Sequence, residues 1–223
     1  MHITELRLKT ADLSGQRAFY ADTLHLPLVE ETGESLTFGV GHTRLIFERS
    51  DTAARYHFAF NIPENQLEAA RRWLKERVSL ISLNGKDVFD FASWQAHSVY
   101  FYDAAGNVLE CIARHRLPNA SDRPFDAANL LNISEIGIAA ADVRATVGRL
   151  TGDLGLPVFD GAGSDSFTAL GDDNGLFIVV KGGRVWYPES GVPANVDALT
   201  VRGALDDGRQ FTLQTDGPEL IIR

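Results

Sequence analysis

The chain repeats itself. Ile3-Thr4-Glu5-Leu6, followed by Asp12-Leu13, returns as Ile133-Ser134-Glu135-Ile136, followed by Asp142-Val143, at an offset of 130 residues. The same offset carries Leu24-His25-Leu26-Pro27-Leu28-Val29 onto Leu154-Gly155-Leu156-Pro157-Val158-Phe159. One added residue then carries Leu45-Ile46-Phe47 onto Leu176-Phe177-Ile178. A register held over that distance marks a duplicated unit, whose copies must share one fold. Between the copies, His115–Pro124 is polar, holds two prolines and has no helical or alternating period, so it reads as a linker. The chain thus divides into 1–115, a linker over 116–130, and 131–223.

Each unit reads as strand–helix–strand–strand–strand. Ile3–Thr10 alternates Leu6 and Leu8 with Glu5, Arg7 and Lys9, the period of a half-buried strand. A helix follows, capped by Asp12 or Ser14, with Ala18, Phe19, Ala21 and Leu24 as its apolar face. Pro27 ends it, and strands are expected over Leu28–Glu31, Ser35–Val40 and Thr43–Arg49. The unit recurs within the first half: Tyr56–Ile62 places Phe58, Phe60 and Ile62 on one face and His57, Ala59 and Asn61 on the other. Leu67, Ala70, Trp73 and Leu74 then form an amphipathic helix, and strands near Ser98–Asp103 and Val108–Ala113 close the unit. Ile133–Ala139 and Val143–Leu154 open the second half alike. The stretch from Asn195 has room for three strands around Ala198–Arg202, Phe211–Leu213 and Leu220–Ile222, and for no helix.

Composition excludes several classes. With 21 Lys+Arg against 30 Asp+Glu the formal charge is −9, unsuited to tracking phosphates, so no nucleic-acid partner is expected. The single cysteine, Cys111, precludes an internal disulfide. The N-terminal residues show no basic segment leading into an apolar one, and no apolar run approaches a bilayer span. A cytoplasmic protein with no membrane partner is expected. Gly161-Ala162-Gly163 lacks the third glycine and the strand–turn–helix setting of a dinucleotide site.

Two residues stand out chemically. Glu110 lies within Val108-Leu109-Glu110-Cys111-Ile112, where an ionised carboxylate is costly unless paired or metal-bound. An ion pair with Arg114 or Arg44 competes with the metal reading. His57 points away from the helix-packed side, and a lone histidine is also compatible with a purely structural role. Glu5, the first-strand counterpart of His57, has Arg7, Lys9 and Arg44 as candidate ion-pair partners.

Ala18-Phe19-Tyr20, Thr23-Leu24-His25-Leu26 and above all the run from Ser98 through Asp103-Ala104-Ala105-Gly106-Asn107 to Glu110 resemble the vicinal oxygen chelate superfamily. That group includes glyoxalases, bleomycin-resistance proteins and ring-cleaving dioxygenases. The resemblance implies an α+β fold of tandem βαβββ modules in two glyoxalase-like domains, the C-terminal one truncated, with the site in residues 1–115. It implies His57, Glu110 and Glu5 as metal ligands, although the usual residue at position 5 is histidine. The same position holds Glu135 in the second half, where no metal partners are evident, so a structural role for this glutamate in both halves stays open. By the same resemblance Tyr100 is the active-site tyrosine and His97 a polar cleft residue, both read as catalytic. Asn61, Trp94 and Tyr102 are read as substrate-binding, with Phe91 as apolar wall. The implied activity is that of a metal-dependent enzyme, most like a ring-cleaving dioxygenase acting on a small catechol-like molecule. Fe(II) is the implied cofactor for that reaction, and Zn, Mn or Ni otherwise. The alternative is a metal-free small-molecule binder of the bleomycin-resistance type. The second half, lacking a matching His and Glu pair, is read as a scaffold or homodimer surface.

Overall fold

The computed structural model describes every residue except Ala162 and Pro218; Ala162 in the Gly161–Gly163 run therefore lies outside the described residues. In chain order the elements are β1 (His2–Thr10), α1 (Leu13–Arg17), β2 (Leu28–Glu31), β3 (Ser35–Val40), β4 (Thr43–Arg49), β5 (His57–Ile62), α2 (Leu67–Lys75), β6 (Phe89–Phe91), β7 (Ala96–Tyr102) and β8 (Val108–Arg114). There follow β9 (Asn132–Ala140), α3 (Val143–Leu154), β10 (Phe167–Asp172), β11 (Gly175–Lys181), β12 (Leu199–Ala204), β13 (Gln210–Asp216) and β14 (Glu219–Ile222).

Among the described residues these strands form two seven-stranded sheets, ordered β14-β13-β12-β1-β4-β3-β2 and β10-β11-β9-β5-β8-β7-β6. This is the α+β architecture of tandem βαβββ units. The sheets do not follow the halves of the sequence. The first unit joins the last through antiparallel β1 and β12, and the second joins the third through antiparallel β5 and β9. The expectation that residues 1–115 assemble one site from their own two units gives way to this exchange, and the 116–130 segment connects strands of a single sheet. That segment is fastened to the entry of α2: the Gln66 side chain donates to the Ser121 and Arg123 carbonyls at 3.0 and 2.6 Å, and the Glu64 amide donates to Asn119 at 2.9 Å.

In the first three units the opening strand runs parallel to the closing one, as β1 to β4, β5 to β8 and β9 to β11. Parallel neighbours need a long crossover, which the helix-bearing segment supplies. The last stretch has no helix among its described residues, so β12, β13 and β14 can only pair as antiparallel neighbours.

Alternation then sorts the side chains. Leu6, Leu8, Phe58, Phe60, Ile136 and Ile138 face the helices and join one continuous apolar core that draws on both sheets. Glu5, Arg7 and Lys9 in one sheet, and His57, Ala59 and Asn61 in the other, take the opposite face. Gly41, at φ +52°, makes the close approach between units possible: a Cβ there would lie 1.7 Å from the Leu131 carbonyl oxygen. Beside it the Thr43 hydroxyl donates to the Ile3 carbonyl at 2.7 Å and accepts from the Ile133 amide at 3.2 Å, tying the two sheets together.

α1 departs from its expected phase. The buried positions of α1 and the turn that continues it are Leu13, Gln16, Tyr20 and Leu24, because the chain widens into a π-turn over Ala18–Thr23, where the Leu24 amide bonds the Phe19 carbonyl at 2.9 Å. The widened turn carries Ala18 and Phe19 off the inner face.

Candidate metal centre

Strand register brings three donors together. Ala59 on β5 lies opposite Glu110 on parallel β8 and opposite Glu135 on antiparallel β9. His57, two residues back, shares that face. The small Ala59 side chain leaves the space into which both carboxylates turn. One donor atom from each of His57, Glu110 and Glu135 lies within 4.8 Å of the other two, and all three residues are buried. Of the described residues, no other His, Cys, Asp or Glu set converges this way.

The His57 ring is held by Nδ1, which donates to the Val108 carbonyl at 3.0 Å. A carbonyl can only accept, so the proton sits on Nδ1 and Nε2 keeps its lone pair, 3.7 Å from Glu110 Oε2. A histidine whose other nitrogen is fixed by a backbone oxygen is oriented as metal-ligating histidines are. Burial lowers its pKa to about 4, which keeps the ring neutral. Burial, reinforced by the Glu135 charge, pushes the Glu110 carboxyl up to about 8. Glu135 is also raised by burial, against the pull of Arg114. Two buried carboxylates and a neutral imidazole form a donor set that a divalent cation satisfies, so the residues fit a metal.

The surrounding side chains fix this set. Ser98 donates its hydroxyl to Glu110 Oε1. Arg114, fully buried, pairs with Glu135 Oε1 and reaches Asp173 at 3.5 Å, while its Nε donates to Asn61 Oδ1 at 3.2 Å. Asn61 therefore holds Arg114, and its amide donates to the Asp173 carbonyl at 2.9 Å. Tyr100 is the direct cross-strand neighbour of Glu110, and its ring lies 6.3 Å from that of His57. Burial and then the Glu110 charge raise its phenol well above the usual value, so Tyr100 keeps its proton and can donate it in a hydrogen bond.

A pocket opens above these residues. The first half supplies Phe91, Trp94 and Tyr100 to its wall, and the second half supplies Phe167, Ile178, Val180 and the segment Arg184–Tyr187. The Trp186 ring packs 5.1 Å from His57 over Gly137, where a Cβ would come within 2.4 Å of it.

The expected site residues are thus distributed unequally. His57, Glu110, Tyr100, Trp94 and Phe91 meet at the pocket. Glu5 does not: it lies in the other sheet, paired with Arg7 at 3.1 Å and Arg202 at 3.7 Å, so two guanidinium groups meet its charge where a cation would. His97 faces outward, as its parity against Tyr100 requires, and bonds His115 at 2.9 Å; Ser98 takes the place beside Glu110. Tyr102 is 37% exposed and donates to the Ser190 carbonyl at 2.6 Å. Glu135 and Trp186 were not expected at the site. For Glu135 the signal was present, as a lone acid in the apolar strand Ile133–Ala139 at the offset of Glu5. For Trp186 the sequence holds none.

No family model matches the sequence, and no curated protein matches it. Among solved structures the chain is similar to a "putative dioxygenase" from Bacillus subtilis, with TM-score 0.62 at 15% identity over 100% of this chain and 84% of that one. It is also similar to a mutant of glyoxalase I from Zea mays, with TM-score 0.58 at 12% identity over 99% of this chain and 92% of that one. Unmutated glyoxalase I from Zea mays gives TM-score 0.55 at 12% identity, over 99% and 91%. At such identities the likeness is one of fold, and it spans both sheets. This chain has the fold of these glyoxalase I and dioxygenase-like structures.

Proposed function

We propose that this protein is a metal-dependent enzyme acting on a small, catechol-like molecule that presents two neighbouring oxygens, with His57, Glu110 and Glu135 as the protein donors to the metal. The convergence of those three donors under an aromatic-walled pocket carries this reading. A bound divalent cation would attract the ligand's oxygens and lower the pKa of its hydroxyls, and Fe(II) would add the one-electron chemistry that ring cleavage requires. Zn, Mn or Ni would confine the site to proton-transfer chemistry. The chain's own residues do the rest. Phe91 and Trp94 receive a flat apolar ring, Trp186 excludes water above His57, and the protonated Tyr100 donates to a ligand oxygen. The protein works in the cytoplasm on this small molecule, without nucleic acid or membrane; no described helix is long and apolar enough to cross one.

The test is aerobic turnover of catechol by protein loaded anaerobically with Fe(II). A ring-opened product, lost in His57→Ala, supports the reading. Catechol bound but left intact with every metal refutes the dioxygenase assignment.

A second reading, a metal-free binding protein, is favoured by one observation: Arg114 already pairs with Glu135 and Ser98 already bonds Glu110. Catechol affinity unchanged by EDTA decides for it.

A further inference from the structure

Arg184 is the cation on a wall that is otherwise almost entirely apolar above the metal donors. It belongs to the segment 182–198, which folds over the mouth of the pocket as a small strap. Within it the Trp186 amide donates to Val192 at 3.0 Å and the Ala194 amide donates to Arg184 at 2.7 Å. From this strap Tyr187 reaches across to the first-half wall, its ring 5.3 Å from Phe89 and 5.7 Å from Phe91. The Arg184 guanidinium lies over the Phe167 ring at 5.5 Å, and among the described residues its one side-chain hydrogen bond is a long one of 3.5 Å to the Ser166 hydroxyl.

The other arginines near this site are differently placed. Arg114 pairs with Glu135 and Asp173, and Arg116 pairs with Asp160 and Asp173. Among the described residues Arg184 has no acidic partner. Its contact with the Phe167 ring holds the exposed guanidinium at the pocket wall and leaves its charge unmatched. Val185 and Tyr187, its neighbours on the strap, are 47% and 48% exposed. The mouth of the pocket therefore offers apolar surface beside a cation with no acidic partner among the described residues.

We propose that Arg184 is an anion subsite: the ligand is a flat aromatic molecule that carries a carboxylate on the side away from its metal-binding oxygens, and Arg184 takes that carboxylate. The assignment rests on the metal-dependent reading above and narrows its substrate class. The subsite selects acidic aromatic ligands over neutral ones of the same ring and chelating group.

The probes are catechol and 3,4-dihydroxybenzoate, which share the chelating group and differ by one carboxylate. Calorimetric titration of the full-length, Zn-loaded protein gives the ratio of their affinities. A partly exposed charge pair predicts that wild type favours the acid by about three- to tenfold. That ratio collapses toward one in Arg184→Gln, stays intermediate in Arg184→Lys, and shrinks when salt is raised. A wild-type ratio near one, or a ratio that Arg184→Gln leaves unchanged, overturns the anion subsite while the metal reading stands. Failure of both probes to bind in a metal-dependent way overturns both.

Discussion

His57, Glu110 and Tyr100 were legible in the sequence because strand alternation assigns each a face without knowledge of its neighbours. Glu135 was visible as an odd residue but not as a neighbour of His57 and Glu110, because periodicity says which face a strand buries and not which strand lies beside it. The three donors also make the metal-free protein sensitive to pH. Folding raises the Glu110 pKa from 4.5 to about 8, so the folded state holds that proton more tightly and loses stability as pH climbs through that interval. Glu135 shifts in the same direction. Folding lowers the His57 pKa from 6.5 to about 4, which costs stability as pH falls through that interval. The two effects oppose each other below pH 6.5, leaving the carboxyl groups to act unopposed from there to about 8. The melting temperature in EDTA should therefore fall from pH 6.5 to 8, and saturating Zn should abolish the fall by taking the proton's place. Parallel curves with and without metal would contradict the burial of these carboxylates.

At the scale of elements, the strands were legible because their patterns are local, and the first helix was misphased because its inner face is polar. Gln16 and Tyr20 point inward to bond Asp103 at 2.7 and 2.8 Å. Asp103 also accepts from the Asn107 side chain at 2.7 Å and from the Ala105 and Asn107 amides at 3.0 and 2.9 Å. One buried carboxylate thus joins α1 of the first unit to the β7–β8 turn of the second, a long-range bond invisible to any local pattern. Asp103→Asn exchanges an acceptor for a donor among three side-chain donors and should cost about 2–4 kcal/mol in urea unfolding; a loss under about 0.5 kcal/mol would show that the junction is held otherwise. The strap that bears Trp186 is equally non-local, and it depends on Gly137. Gly137→Val must displace the Trp186 ring, and catechol affinity of the metal-loaded protein should then drop by about tenfold or more. An unchanged affinity would remove Trp186 from the ligand's surroundings.

For the whole molecule, duplication was plain from the fixed offset, and the shortened last unit from its length. How the units pair was not, since every opening strand offers a similar free edge and the choice of partner is made by the assembled fold. That choice decides the chemistry. Joining the second unit to the third builds the centre across the linker from His57, Glu110 and Glu135, and it leaves Glu5 to its arginines in the other sheet. The measurement that tests this most directly is bound Zn per chain after reconstitution and desalting, in wild type, Glu135→Gln and Glu5→Gln. This arrangement predicts close to one equivalent in wild type and Glu5→Gln and less than about a tenth in Glu135→Gln, a loss typical of removing a direct ligand. Metal retained in Glu135→Gln but lost in Glu5→Gln would contradict it.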